Sequence, residues 1–84
     1  MTYEVRIGRS AEKEIDGLPS IVHARITRRV LSLEENPRPI GTKKLSGRDE
    51  YRLKAGDYRI LYTVNDNEKV VKIFAVRHRR EAYR

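Results

Sequence analysis

Positive charge recurs at strand spacing through the last third of this chain. Tyr51-Arg52-Leu53-Lys54 sets two cations two residues apart, and Asp57-Tyr58-Arg59-Ile60-Leu61-Tyr62 adds a third after a tight Gly56-Asp57 turn. The segment His78-Arg79-Arg80-Glu81-Ala82-Tyr83 then closes with more arginine and a tyrosine. Side chains alternate across a strand, so Arg52 and Lys54 share one face, and Arg59 joins them if its segment folds back alongside. Cations converging in this way suit a phosphate: guanidinium forks grip its oxygens, and an amine or phenol beside them can take or give a proton.

Composition points the same way. The 84 residues hold 19 Lys and Arg against 12 Asp and Glu, a net charge of +7, which favours an anionic partner such as nucleic acid or an acidic protein. There is no cysteine and only two histidines, so disulfides and thiolate metal sites are excluded and no metal or other cofactor is expected. No apolar run approaches the roughly 20 residues needed to span a bilayer. The expectation is one domain over residues 1–84, cytoplasmic, with no membrane partner and no small-molecule substrate.

The elements that would position these cations can be read from periodicity. Tyr3 to Ile7 alternates apolar and polar residues as a half-buried strand ending at Gly8. Ser10 offers a helix cap, and Ala11, Ile15 and Leu18 carry a short helix to Asp16-Gly17. After Pro19-Ser20, the stripe Val22, Ile26, Val30, Leu33 predicts a longer amphipathic helix that stops at Asn36-Pro37. Its opposite face carries His23, Arg25, Arg28, Arg29 and Glu35, a solvated face or a partner's docking surface. Residues 36–50 read as a loop in which Lys43 and Lys44 could touch a nucleic-acid backbone. Strands over Tyr51–Ala55, Tyr58–Val64 and Lys69–Val76 follow, joined by turns at Gly56-Asp57 and Asn65-Asp66-Asn67. The predicted fold is α+β, in the order β-α-α-β-β-β: an antiparallel sheet with both helices on one face and the cations on the other.

In this order and length, several segments together resemble the RelE-type toxins of the RelE/ParE toxin–antitoxin superfamily. They are Leu18-Pro19, Glu35-Asn36-Pro37, Lys44-Leu45-Ser46-Gly47, Tyr51 to Tyr62, and Val76 to Tyr83. The resemblance implies an mRNA interferase that enters the ribosomal A site, cuts the codon there without a metal, and is neutralised by a cognate RelB-like antitoxin. In that family the mRNA 2′-hydroxyl attacks the adjacent phosphorus. Carried over residue by residue, the resemblance assigns Arg59 to the scissile phosphate and Arg52 and Lys54 to orientation and charge neutralisation. It assigns Arg79 to transition-state stabilisation and Tyr83 to proton transfer and stacking, with either Lys54 or Tyr83 as the proton acceptor. His78, Arg80, Lys43 and Lys44 would contact RNA.

Two other functions compete with this one, although a gyrase inhibitor has no chemical need for a cationic cleft of Lys54, Arg59, Arg79 and Tyr83. ParE-type relatives poison DNA gyrase on this fold, and a purely binding module would use the cations on backbone phosphates without cutting. For Arg59 the structural alternative is an ion pair with Asp57, for Lys54 and Arg52 a charged strand edge that resists aggregation.

Overall fold

The alternating Tyr3, Val5 and Ile7 do build a strand, β1 (Glu4–Ile7), in the computed structural model, which describes residues 2–45 and 49–81. Helix α1 (Arg9–Asp16) is capped at Gly8 and starts two residues earlier than the Ser10 cap predicts. The reason is tertiary. Gly8 donates its N–H to Ile73 O at 2.8 Å and accepts the Glu12 N–H at 2.9 Å, so pairing with the sheet sets the first turn. Helix α2 (Ser20–Ser32) follows Pro19, whose carbonyl takes the His23 N–H. It ends before Asn36-Pro37 because Leu33, Glu34 and Glu35 donate to Val30, Leu31 and Ser32, tightening the exit into three-residue turns.

Four further strands complete a five-stranded sheet: β2 (Thr42–Lys44), β3 (Glu50–Ala55), β4 (Tyr58–Asn65) and β5 (Val70–His78). Their order is β1-β5-β4-β3-β2. The expected α+β architecture holds with two additions. A short β2 lies inside the expected loop, and β1 joins β5 in parallel, so the sheet is mixed although its other pairings are antiparallel. Three residues reading Thr-Lys-Lys give no periodicity signal, and only pairing with Tyr51, Arg52 and Leu53 makes them a strand.

One face of the sheet is dry. Ile26, Val30 and Leu33 of the α2 stripe, with Ala11 and Ile15 of α1, pack on Leu53, Ile60, Tyr62, Val71 and Ile73. No helix among the described residues is long and apolar enough to cross a membrane.

Polar staples hold the loop after α2 onto this frame. The buried Tyr62 hydroxyl donates to Pro37 O at 2.7 Å, and the Tyr62 ring stacks on Tyr51 with centroids 5.7 Å apart. Burial pushes the Tyr62 phenol up from its ordinary value. Next to it, Arg38 donates to both carboxylate oxygens of Asp66, at 3.2 and 2.8 Å, and to the Tyr51 hydroxyl at 3.0 Å, while the Tyr3 hydroxyl donates to Asp66 at 2.6 Å. These bonds, led by those from Arg38, hold the Asp66 carboxyl down at about 2, against an ordinary 3.8.

The pH consequence has a definite sign. A carboxyl whose folded pKa lies below its unfolded one adds stability above the unfolded value and loses it as pH falls through the folded value. Stability is therefore expected to drop between about pH 4 and pH 2 by an amount that Asp66→Asn removes. Urea titrations of both proteins across that window would check it.

Candidate active site

Among the described residues no helix covers the second face of the sheet, and strand register decides what it displays. Lys43 on β2 pairs with Arg52 on β3, and Arg52 pairs with Leu61 on β4. One step along, Lys54 on β3 pairs with Arg59 on β4, and Arg59 with Arg77 on β5. Directly opposed residues bring their Cβ atoms within about 5.5 Å of one another, and like charges so placed are destabilising. A row of Lys54, Arg59 and Arg77 across three neighbouring strands is thus costly for the isolated fold and suited to an anion.

Lys43, Arg52, Lys54 and Arg59, together with Gly41 and Thr42, line a cleft of about 360 Å³. Arg59 is its fixed point, only 8% exposed. Its Nη1 donates to Gly56 O at 3.0 Å and to Tyr58 O at 2.9 Å, and among the described residues it meets no carboxylate, Asp57 included. A guanidinium held by carbonyls keeps its full charge available, and the rest of its fork remains for the cleft.

The β3–β4 turn that anchors Arg59 needs a glycine. Gly56 takes a positive φ of 62°, and a Cβ there would sit 3.2 Å from Arg25 Nη1, a side-chain end that can move aside. The backbone conformation is the larger obstacle. Gly56→Ala is expected to cost about 1–2 kcal/mol, read as a shift in urea midpoint at constant slope.

The chain leaving β5 returns to this turn. Arg79 donates its N–H to Asp57 O at 2.7 Å, and the His78 ring meets the Tyr58 ring edge-on at 5.5 Å. That backbone bond brings Arg79 beside the anchor of Arg59, while Arg80 is exposed and directs its N–H at His78 Nδ1, 3.4 Å away. Tyr83 lies outside the described residues. Lys44 is not brought to the cleft: strand alternation sends it to the side opposite Lys43, where its ammonium lies 3.6 Å from Asp49.

The register also sets Arg77, to which the sequence reading assigns no role, opposite Arg59. The resemblance points to Arg79, and periodicity does not say which strand lies beside Arg59. Glu14 of α1 steadies Arg77: Oε2 lies 3.5 Å from Arg77 Nε, and Oε1 accepts the Val76 N–H at 3.0 Å. That N–H falls where β1 has ended and, among the described residues, the outer edge of β5 has no strand partner, so one carboxylate both caps an edge and restrains a cation. The arginine face of α2 also proves less solvated than its pattern suggests, since Arg29 Nη2 donates to Lys54 O at 3.0 Å.

Residues 5–83 match the family described as the ParE toxin of the type II toxin-antitoxin system, parDE. The chain belongs to that family. Within the wider RelE/ParE group, it is 28% identical to RelE1 of Methanocaldococcus jannaschii over an 88-position alignment covering all of this chain and 98% of the relative. It also superposes on a chain of the archaeal RelE–RelB complex of Pyrococcus horikoshii OT3, with a TM-score of 0.84, 36% identity, and 94% and 97% of the two chains covered. The isolated RelE toxin of E. coli superposes with a TM-score of 0.78 at 27% identity, over 96% of this chain and 95% of that one. The two helices and the mixed sheet match these RelE structures.

Proposed function

We propose that this ParE-family chain is the toxin of a type II system and acts as a ribosome-dependent endoribonuclease on mRNA in the A site. The observation that carries this reading is the single cleft lined by Lys43, Arg52, Lys54 and Arg59. In the proposed reaction the 2′-oxygen forms a bond to the adjacent phosphorus and the bond from phosphorus to the 5′-oxygen breaks. The 2′-proton passes to Lys54 as the neutral amine or to Tyr83 as phenolate, and the leaving 5′-oxygen takes a proton from water, giving a 2′,3′-cyclic phosphate and a 5′-hydroxyl. Arg59 and Arg52 hold the non-bridging oxygens as charge builds on them, with Arg79 and Arg77 close enough in the fold to add to the field. The protein's own cations carry that charge in place of a metal.

Phosphate holders outnumber any matched acid–base pair in this cleft, so fixing the attacking oxygen in line becomes the ribosome's contribution. The place of action is the cytoplasm. A neutralising antitoxin would present acidic and apolar residues to this basic chain, and relatives of similar fold have been solved as RelE–RelB complexes.

Primer extension on mRNA held in programmed ribosomes tests the proposal. Cuts confined to the A-site codon, and absent from ribosome-free RNA, would support it; equal cutting of both would refute the ribosome's role. The family's description as a ParE toxin favours one second reading, gyrase inhibition. That reading expects loss of DNA supercoiling and no cut mRNA.

A further inference from the structure

Helix α2 carries Arg25, Arg28 and Arg29, with no aspartate or glutamate between Ser20 and Ser32. Spacings of three and four residues set these guanidiniums on one side of the helix, where like charges repel. Helix α1, by contrast, intersperses Glu12, Glu14 and Asp16 with its cations. Among the described residues, none of the three α2 arginines meets a carboxylate within 4 Å.

One of them is held in place: Arg29 is bonded to Lys54 O, while Arg25 Nη1 lies near Gly56 at the β3–β4 turn. Arg28 is exposed and lines, with Ser20, Ile21, Ala24 and Arg25, an open groove of about 370 Å³. This surface runs into the cleft. Arg29 Nη2 lies 3.9 Å from where a Cβ would stand on Gly41, and Gly41 and Lys54 both line the cleft on the far side of the sheet. Positive charge therefore runs from α2, past Gly41 beside β2, to Lys54 and Arg59.

We infer that the arginine face of α2 is a second RNA-binding surface, which holds the phosphate backbone of a folded RNA segment while the cleft takes the strand to be cut. It deepens the endoribonuclease reading and rests on RNA being the substrate. Arginines on a helix face, with no carboxylate among them, suit backbone phosphates and not base edges. Each contacted phosphate releases condensed counterions, so the affinity should fall steeply with salt.

A fluorescent 20-base-pair RNA duplex is the probe, because its paired bases cannot enter a cleft of this size. Anisotropy titrations across a salt series would compare the full chain with Arg28→Glu, with Arg25→Gln, and with Lys13→Glu. The last makes the same charge reversal on α1. Arg28→Glu should weaken duplex binding at least about tenfold and flatten the salt dependence by about one phosphate contact. Arg25→Gln should weaken it less, and Lys13→Glu less than about threefold. Thermal melts confirm that each variant is folded, and Arg28 is exposed.

Equal loss in Arg28→Glu and Lys13→Glu would reduce the effect to net charge and overturn the inference. So would an unbound duplex, or a polyglutamate peptide that displaces the duplex at equal charge concentration and shows the same Arg28 dependence. The two levels separate cleanly. Duplex binding that depends on Arg28 without any mRNA cutting would sink the endoribonuclease reading alone, and A-site cutting with unchanged duplex binding in Arg28→Glu would sink the α2 surface alone.

Discussion

Arg59→Ala is expected to slow cutting of ribosome-held mRNA by about 10²–10³-fold, the usual cost of removing one donor aimed at developing charge in a water-poor site. Arg59 is the least exposed cation of the cleft, and its Nη1 is tied to two carbonyls of the β3–β4 turn. That anchoring fixes where the charge sits before substrate arrives. Truncation also leaves Gly56 O and Tyr58 O to find water, so a modest loss of stability should accompany the loss of activity. Two controls part these effects. Thermal melts give the folded fraction under assay conditions, and Arg59→Lys keeps a charge without the planar fork. If position and fork both matter, lysine rescues folding and only a small part of the rate. Full activity in Arg59→Ala, at normal folding, would place the scissile phosphate elsewhere.

The second large effect falls on stability. Tyr62→Ala should cost about 3–5 kcal/mol, in the range for truncating a buried aromatic, since Tyr62 is wholly buried and stacks on Tyr51. Tyr62→Phe separates packing from polarity. It keeps the ring but leaves Pro37 O, the acceptor of the Tyr62 hydroxyl at 2.7 Å, without that donor. A buried carbonyl so stranded costs about 1–3 kcal/mol. Denaturant midpoints measure both variants, and a Tyr62→Phe protein as stable as the parent would show that water or a shifted loop replaces the bond. The loop pinned by Tyr62 leads into Gly41 and Lys43, which line the cleft. The variant should therefore also raise the concentration of ribosomes needed for half-maximal cutting.

The helices and the three long strands were legible because their signals are local. The α2 stripe Val22, Ile26, Val30 and Leu33 turns toward the core as its spacing requires, and Gly56-Asp57 makes the tight turn its residue types suggest. Arg52, Lys54 and Arg59 could be grouped from the sequence for the same reason: two of them alternate on one strand, and the third follows a two-residue turn that allows only one near register.

Contacts remote in sequence were not legible. The parallel pairing of β1 with β5, the fifth strand at Thr42–Lys44, the separation of Lys43 from Lys44, and the place of Arg77 beside Arg59 all follow from register between distant segments. So does the α2 start of the second cationic surface, where Arg29 crosses 25 residues of chain to reach Lys54 O. Charge, periodicity and turn chemistry are properties of neighbouring residues, so the sequence alone determined that this protein is a small basic α+β domain with a cationic sheet face. Which cations meet, and around which edge the charge continues, depends on hydrogen-bonded register and helix docking, and only the tertiary structure decided that.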